Sequence, residues 1–107
     1  MSARQPTAVL RASGSVVLNH EGGLHARPAV KLTKLAKKFG STIEFALADT
    51  GPWTDAKSIV RVLAAKVPRG SVLHFLAVGI DARAAVDALV ALVVRDFDED
   101  AEDDDRP

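Results

Sequence analysis

One core, and hence one domain, is the expectation for a chain of 107 residues that is 48% hydrophobic and 26% charged. No apolar run approaches the roughly 20 residues that cross a bilayer, and the absence of cysteine excludes disulfide and thiolate chemistry. The formal net charge of +0 hides an uneven distribution, with eight acidic residues and one basic residue in 96–107 and 13 basic against six acidic in 1–95.

Residues 1–13 are small and polar, with Pro6 early and no apolar core of the kind a secretory signal needs, so a cytoplasmic location is expected. Residues 96–107 have almost nothing to bury. Both ends are expected to be mobile flanks, a flexible N-terminal segment and an acidic tail, of a folded unit spanning 14–95.

Ser15 to Asn19 is rich in β-branched residues and reads as a strand entering a loop at Glu21 to Gly23. From Ala26 to Phe39, Leu32, Leu35, Ala36 and Phe39 recur at helical spacing, Pro28 falls in the first turn and Gly40 supplies the stop. On another face Arg27, Lys31, Lys34 and Lys38 align as a basic stripe that begins beside His25. Thr42 to Leu47 reads as a second strand. Turn chemistry at Asp49-Thr-Gly-Pro then leads to a short third strand near Trp53 and Thr54. A short helix carrying Ile59, Val60 and Leu63 follows Ser58 as N-cap, and Val72 to Val78 is a strongly apolar fourth strand. Asp81 is expected to cap a last helix with Val86, Leu89, Val90 and Val93 on its buried stripe.

The order is βαββαβα. Each helix has one apolar stripe and each strand needs one covered face, so the predicted class is α+β. The architecture is an open-faced β-sandwich, a four-stranded antiparallel sheet with three helices packed on one face.

The chemistry concentrates in Gly22-Gly-Leu-His-Ala-Arg-Pro-Ala29. A histidine at a helix N-terminus meets the unbonded N–H groups of the first turn and the positive end of the macrodipole. These favour an anion nearby, so a ring nitrogen of His25 is the expected nucleophile. A phosphoryl group taken up there would lie against the backbone N–H groups of Ala26 and Arg27, with the Arg27 side chain on its remaining oxygens. The plainer readings stand beside this one: a surface histidine or weak cap, a solvated basic helix face, and Ser58 as a simple N-cap.

The stretch Gly23-Leu-His-Ala-Arg-Pro-Ala29 resembles the active-site signature of the histidine-containing phosphocarrier proteins, HPr, of the bacterial phosphotransferase system. The resemblance runs from about Ser15 to Val94 and includes Lys57-Ser58-Ile59 and the Ala-rich last helix. It implies a stoichiometric phosphocarrier rather than a turnover enzyme. His25 would accept phosphate at Nδ1 from phosphorylated enzyme I and pass it to an EIIA domain in sugar uptake, assisted by Arg27. It also implies that Ser58 is the target of a regulatory HPr kinase/phosphorylase. The chain departs from the family at Gly22, where many members carry Asn or Ser, in a longer turn between Leu47 and Lys57, and in its acidic end.

Lys31, Lys34, Ile59, Val60 and Leu63 are expected to form one docking face around His25 for acidic partners, and the chain is expected to be a monomer. No cofactor is implied. His20 and His25 lack a third metal ligand of convincing spacing, and His74 reads as a strand or edge residue. With 5% aromatics the basic face has too few stacking platforms for nucleic acid, and membrane insertion is not expected. The alternative function is a regulatory or nitrogen-type carrier acting mainly through phosphorylation-dependent protein binding.

Overall fold

The computed structural model describes residues 10–98, so the expectations for 1–9 and 99–107 lie outside the described residues. The elements are β1 (Arg11–Val17), α1 (Ala26–Ala36), β2 (Thr42–Ala46), β3 (Thr54–Asp55), α2 (Ile59–Ala64), β4 (Val72–Val78) and α3 (Ala82–Val94). They form an α+β open-faced sandwich in the expected order. The antiparallel sheet runs β1-β4-β2-β3, with β4 central and paired to β1 from Arg11 opposite Val78 to Val17 opposite Val72.

Alternation along the strands separates the two faces. Ala12, Ile43, Phe45, Leu73, Phe75 and Ala77 are buried beneath the helices, whereas Arg11, Ser13, Ser15, Thr42 and Glu44 are exposed. Leu32 and Ala36 of α1, Val62 of α2 and Val86, Leu89 and Val93 of α3 close the core. Each fully buried Leu or Phe side chain contributes about 1.5–3 kcal/mol relative to exposure.

The folded unit reaches further than 14–95 at both ends. β1 begins at Arg11, not Ser15, because only Ala12 and Gly14 of its first half turn inward. A Cβ on Gly14 would stand 2.9 Å from Val86 Cγ1, so α3 packs where a larger residue would otherwise have announced the strand. At the other end Asp96 and Phe97 take left-handed φ values of 58° and 62°, which fold the chain back and bury Phe97 to 3% exposure. Two such residues cost about 1–2 kcal/mol each, a strain offset by the aromatic burial.

Two further details differ from expectation. α1 ends at Ala36 and the chain continues to Phe39 as a turn, with Lys57 Nζ donating to Phe39 O at 2.7 Å. Asp81 sits at the N-cap of α3 but makes no side-chain cap bond; its carboxylate instead accepts from Gly40 N and Ser41 N, both at 2.9 Å, and from the Ser41 hydroxyl. The Ser41 hydroxyl, ahead of the backbone donors, holds the Asp81 carboxyl below its ordinary value. A capping residue has become the tie between α3 and the turn after α1.

Candidate functional site

The loop from His20 to His25 is pinned against the turn before β4. Leu18 N donates to Ser71 O at 2.8 Å, Gly70 N to Leu18 O at 2.7 Å and Leu24 N to Val67 O at 2.9 Å. Gly23 makes the approach possible: its φ is 78°, and a Cβ there would meet Val67 O at 2.4 Å. Leu24, Pro28 and Ala29 are buried, while His25, Ala26 and Arg27 between them are exposed. The core thus grips both sides of a three-residue segment and presents it outward.

His25 is the N-cap of α1, extended at φ −128° and ψ 177°, and its ring makes no capping bond. Pro28 has no N–H, and Ala29 N donates to His25 O at 3.2 Å. The N–H groups of Ala26 and Arg27 therefore remain the open donors of the first turn. Ala26 adopts φ 26°, a strained value for alanine, immediately after the histidine. Gly22, at φ 92°, lies under the imidazole: a Cβ on it would be 2.5 Å from Nε2, 3.2 Å from Cδ2 and 3.5 Å from Cε1. The Nε2 edge rests on the glycine, and Nδ1 is the ring nitrogen turned away from it.

Of the basic stripe, Arg27, Lys34 and Lys38 are exposed and make no ion pair among the described residues. Lys31 is different. It is half-buried, and its ammonium donates to Phe97 O at 2.7 Å. This contact belongs to a network that sequence reasoning missed, in which His20 Nδ1 donates to Asp96 Oδ1 at 2.7 Å and the His20 ring meets Phe97 edge-on at 5.5 Å. The one signal for it was a lone aromatic within an acidic run.

α2 packs beside α1. Ser58 is its N-cap, with Oγ accepting from Arg61 N at 3.3 Å. Val60 (73% exposed) and Leu63 (40%) face solvent, whereas Ile59 is half-buried against the core. His74 lies on the outer sheet face, half-buried beside a cleft of about 530 Å³ that Arg11, Asp49 and Trp53 also line. Among the described residues no three His, Cys, Asp or Glu side chains gather to hold a metal, and no helix is long and apolar enough to cross a membrane.

Residues 12–95, the stretch that carries His25, Arg27 and Ser58, match the family model described as "PTS HPr component phosphorylation site". The chain belongs to the HPr family of phosphotransferase-system phosphocarriers. It is 40% identical over 77 residues to the phosphocarrier protein HPr of Cupriavidus necator, covering 72% of this chain and 84% of that protein. It is 36% identical over 85 residues to the phosphocarrier protein NPr of Proteus mirabilis, covering 79% and 93%. Over 89 residues it is 43% identical to a multiphosphoryl transfer protein of Vibrio cholerae; the match takes in 82% of this chain but spans only about a fifth (21%) of that longer relative. Among solved structures, HPr-C-His from Thermoanaerobacter tengcongensis superposes with a TM-score of 0.74 at 34% identity, covering 80% of this chain and 94% of that one.

Proposed function

We propose that this HPr-family phosphocarrier takes a phosphoryl group onto Nδ1 of His25 from phosphorylated enzyme I and passes it to an EIIA domain in sugar uptake. The observation that carries this reading is the exposed His25-Ala26-Arg27 segment, with two open backbone donors beside the imidazole and its Nε2 edge seated on Gly22.

The Nδ1 lone pair attacks phosphorus as the bond to the donor breaks, with the bonding pair staying on the donor; Nε2 keeps its proton. Charge on the transferring oxygens faces the N–H groups of Ala26 and Arg27, the positive end of α1 and the Arg27 guanidinium. The same groups hold the product dianion until the next nucleophile takes it. Lys34, Val60 and Leu63 offer the surrounding docking surface; Lys31 and Ile59, expected there too, are partly taken up by packing. A basic rim of this kind favours fast, reversible encounters with acidic partners.

Incubation with phosphoenolpyruvate and enzyme I is expected to place acid-labile phosphate on the chain. His25→Ala abolishes it, and Arg27→Ala slows it about 10- to 100-fold. Label persisting in His25→Ala overturns the assignment. The match to an NPr supports a nitrogen-branch carrier as the second reading. Onward transfer to sugar-type against nitrogen-type EIIA proteins separates the two, and transfer to neither favours a regulatory binding role. Ser58, set in the docking face, is the proposed target of an HPr kinase/phosphorylase, where a phosphate would add about two negative charges beside Val60 and Leu63.

A further inference from the structure

Two halves of the candidate site reach His25 from opposite directions along the chain. The turn from His20 to Gly23, closed by Gly23 N donating to His20 O at 2.9 Å, carries the Gly22 backbone on which the imidazole rests. The first turn of α1 carries the Ala26 and Arg27 donors and the Arg27 side chain. Along the chain the two are joined only through Leu24 and His25.

A second link runs outside the site. After α3 the chain reverses at Asp96 and Phe97, with Asp96 N donating to Val93 O at 2.9 Å and Phe97 N to Leu92 O at 2.8 Å. On one side of this reversal Asp96 Oδ1 accepts from His20 Nδ1 at 2.7 Å, and the buried Phe97 ring meets the His20 ring edge-on at 5.5 Å. On the other side Phe97 O accepts from the Lys31 ammonium at 2.7 Å, one helical turn beyond Arg27. Two adjacent residues in the left-handed region persist only where their surroundings over-determine them. Here those surroundings are the turn beneath the imidazole and the helix beside it. His20, Lys31, Asp96 and Phe97 border one cleft of about 340 Å³ together with Arg27.

We propose that the reversal at Asp96 and Phe97 is a clamp that sets the working geometry of His25, with His20 and Asp96 as positioning residues. It holds the Gly22 seat and the α1 donors in one relation, so that Nδ1 and the N–H groups of Ala26 and Arg27 address the same phosphoryl group. Its role in transfer rests on the carrier reading above. The clamp residues act only through His25 and Arg27, and a misplacement of about 1 Å at a reacting atom can cost about 100-fold in rate.

Asp96→Gly separates positioning from stability. Glycine takes a left-handed φ without strain, so this variant loses the acceptor for His20 while the melting temperature of the parent is expected to hold. Asp96→Asn keeps the acceptor, removes the charge beside Arg27 and tolerates the same φ. With phosphorylated enzyme I as donor, Asp96→Gly and His20→Ala are each expected to lower the maximal rate of uptake about three- to tenfold at an unchanged half-saturating concentration, and their combination to be no slower than either. Asp96→Asn is expected to match the parent. A parent rate in Asp96→Gly, an equal loss in Asp96→Asn, or a change confined to the half-saturating concentration overturns the proposal. NMR contacts between the His25 ring and the Gly22 α-protons read the geometry without phosphate. They are expected to be strong in the parent and in Asp96→Asn and weakened in Asp96→Gly; equal contacts in all three overturn the clamp. If the parent takes up no phosphate while these contacts still weaken, the carrier reading fails and the clamp stands.

Discussion

The Nε2 edge of the His25 ring fills the space that a side chain on residue 22 would need, since a Cβ on Gly22 would stand 2.5 Å from that nitrogen. The sequence suggested a ring left without its usual neighbour. The geometry instead seats the ring on bare backbone, and a side chain at Gly22 would have to evict it. Gly22→Ser is therefore expected to turn the imidazole and lower phosphoryl uptake about 10- to 100-fold, as small misplacements of a reacting atom do. Uptake kinetics check this, and a rate equal to that of the parent would show that the ring finds its working pose regardless of its seat.

Phe97 anchors the end of the fold. Phe97→Ala is expected to cost about 3–5 kcal/mol in chemical denaturation, far more than a residue in a solvated acidic run would. A loss below about 0.5 kcal/mol, the scale of an ordinary surface change, would show that the reversal at Asp96 contributes nothing.

Asp81 gives stability a dependence on pH. Its carboxyl is held below the ordinary value of 3.8 by the Ser41 hydroxyl and the N–H groups of Gly40 and Ser41. The unfolded chain therefore protonates this group first on acidification. The contribution is fully present above the ordinary value and is lost as pH falls through the lower, folded one. Asp81→Asn is expected to lower the melting temperature at neutral pH, with the gap to the parent narrowing in strong acid. A gap independent of pH would remove Asp81 as its source.

Ser58 separates capping from regulation. Its Oγ accepts from Arg61 N at a long 3.3 Å, so Ser58→Ala is expected to cost only about 0.5–1 kcal/mol and to leave phosphoryl uptake unchanged. Ser58→Asp keeps an acceptor but adds charge beside Val60 and Leu63, and is expected to weaken binding to acidic partners in a salt-dependent way. Equal partner affinity in the two variants, measured by titration at low salt, would count against a regulatory role.

How far the sequence could be read depended on whether each residue's role was local. β4 was legible to its ends because a central strand, buried on one face and mostly half-covered on the other, reads as an almost unbroken apolar run. The segment around His25 was legible because glycine, proline and a helix start act within a few residues of one another. The start of β1 was not, since its inward positions are Ala12 and Gly14, small because α3 lies against them. Asp81 read correctly as sitting at a helix start, but its side chain serves a turn 40 residues away. His20 and Asp96 are 76 positions apart, and no pattern along the chain joins them.

The outward bulge of His25-Ala26-Arg27 between buried Leu24 and Pro28 has one more consequence. A convex site offers a phosphohistidine no roof, so bulk water has the same access to it as any acceptor. On the proposed reading, shelter from hydrolysis would come from the partner, whose surface would supply the missing wall only while the two are docked. The half-life of the free phosphorylated form would then be the clock against which each handover runs.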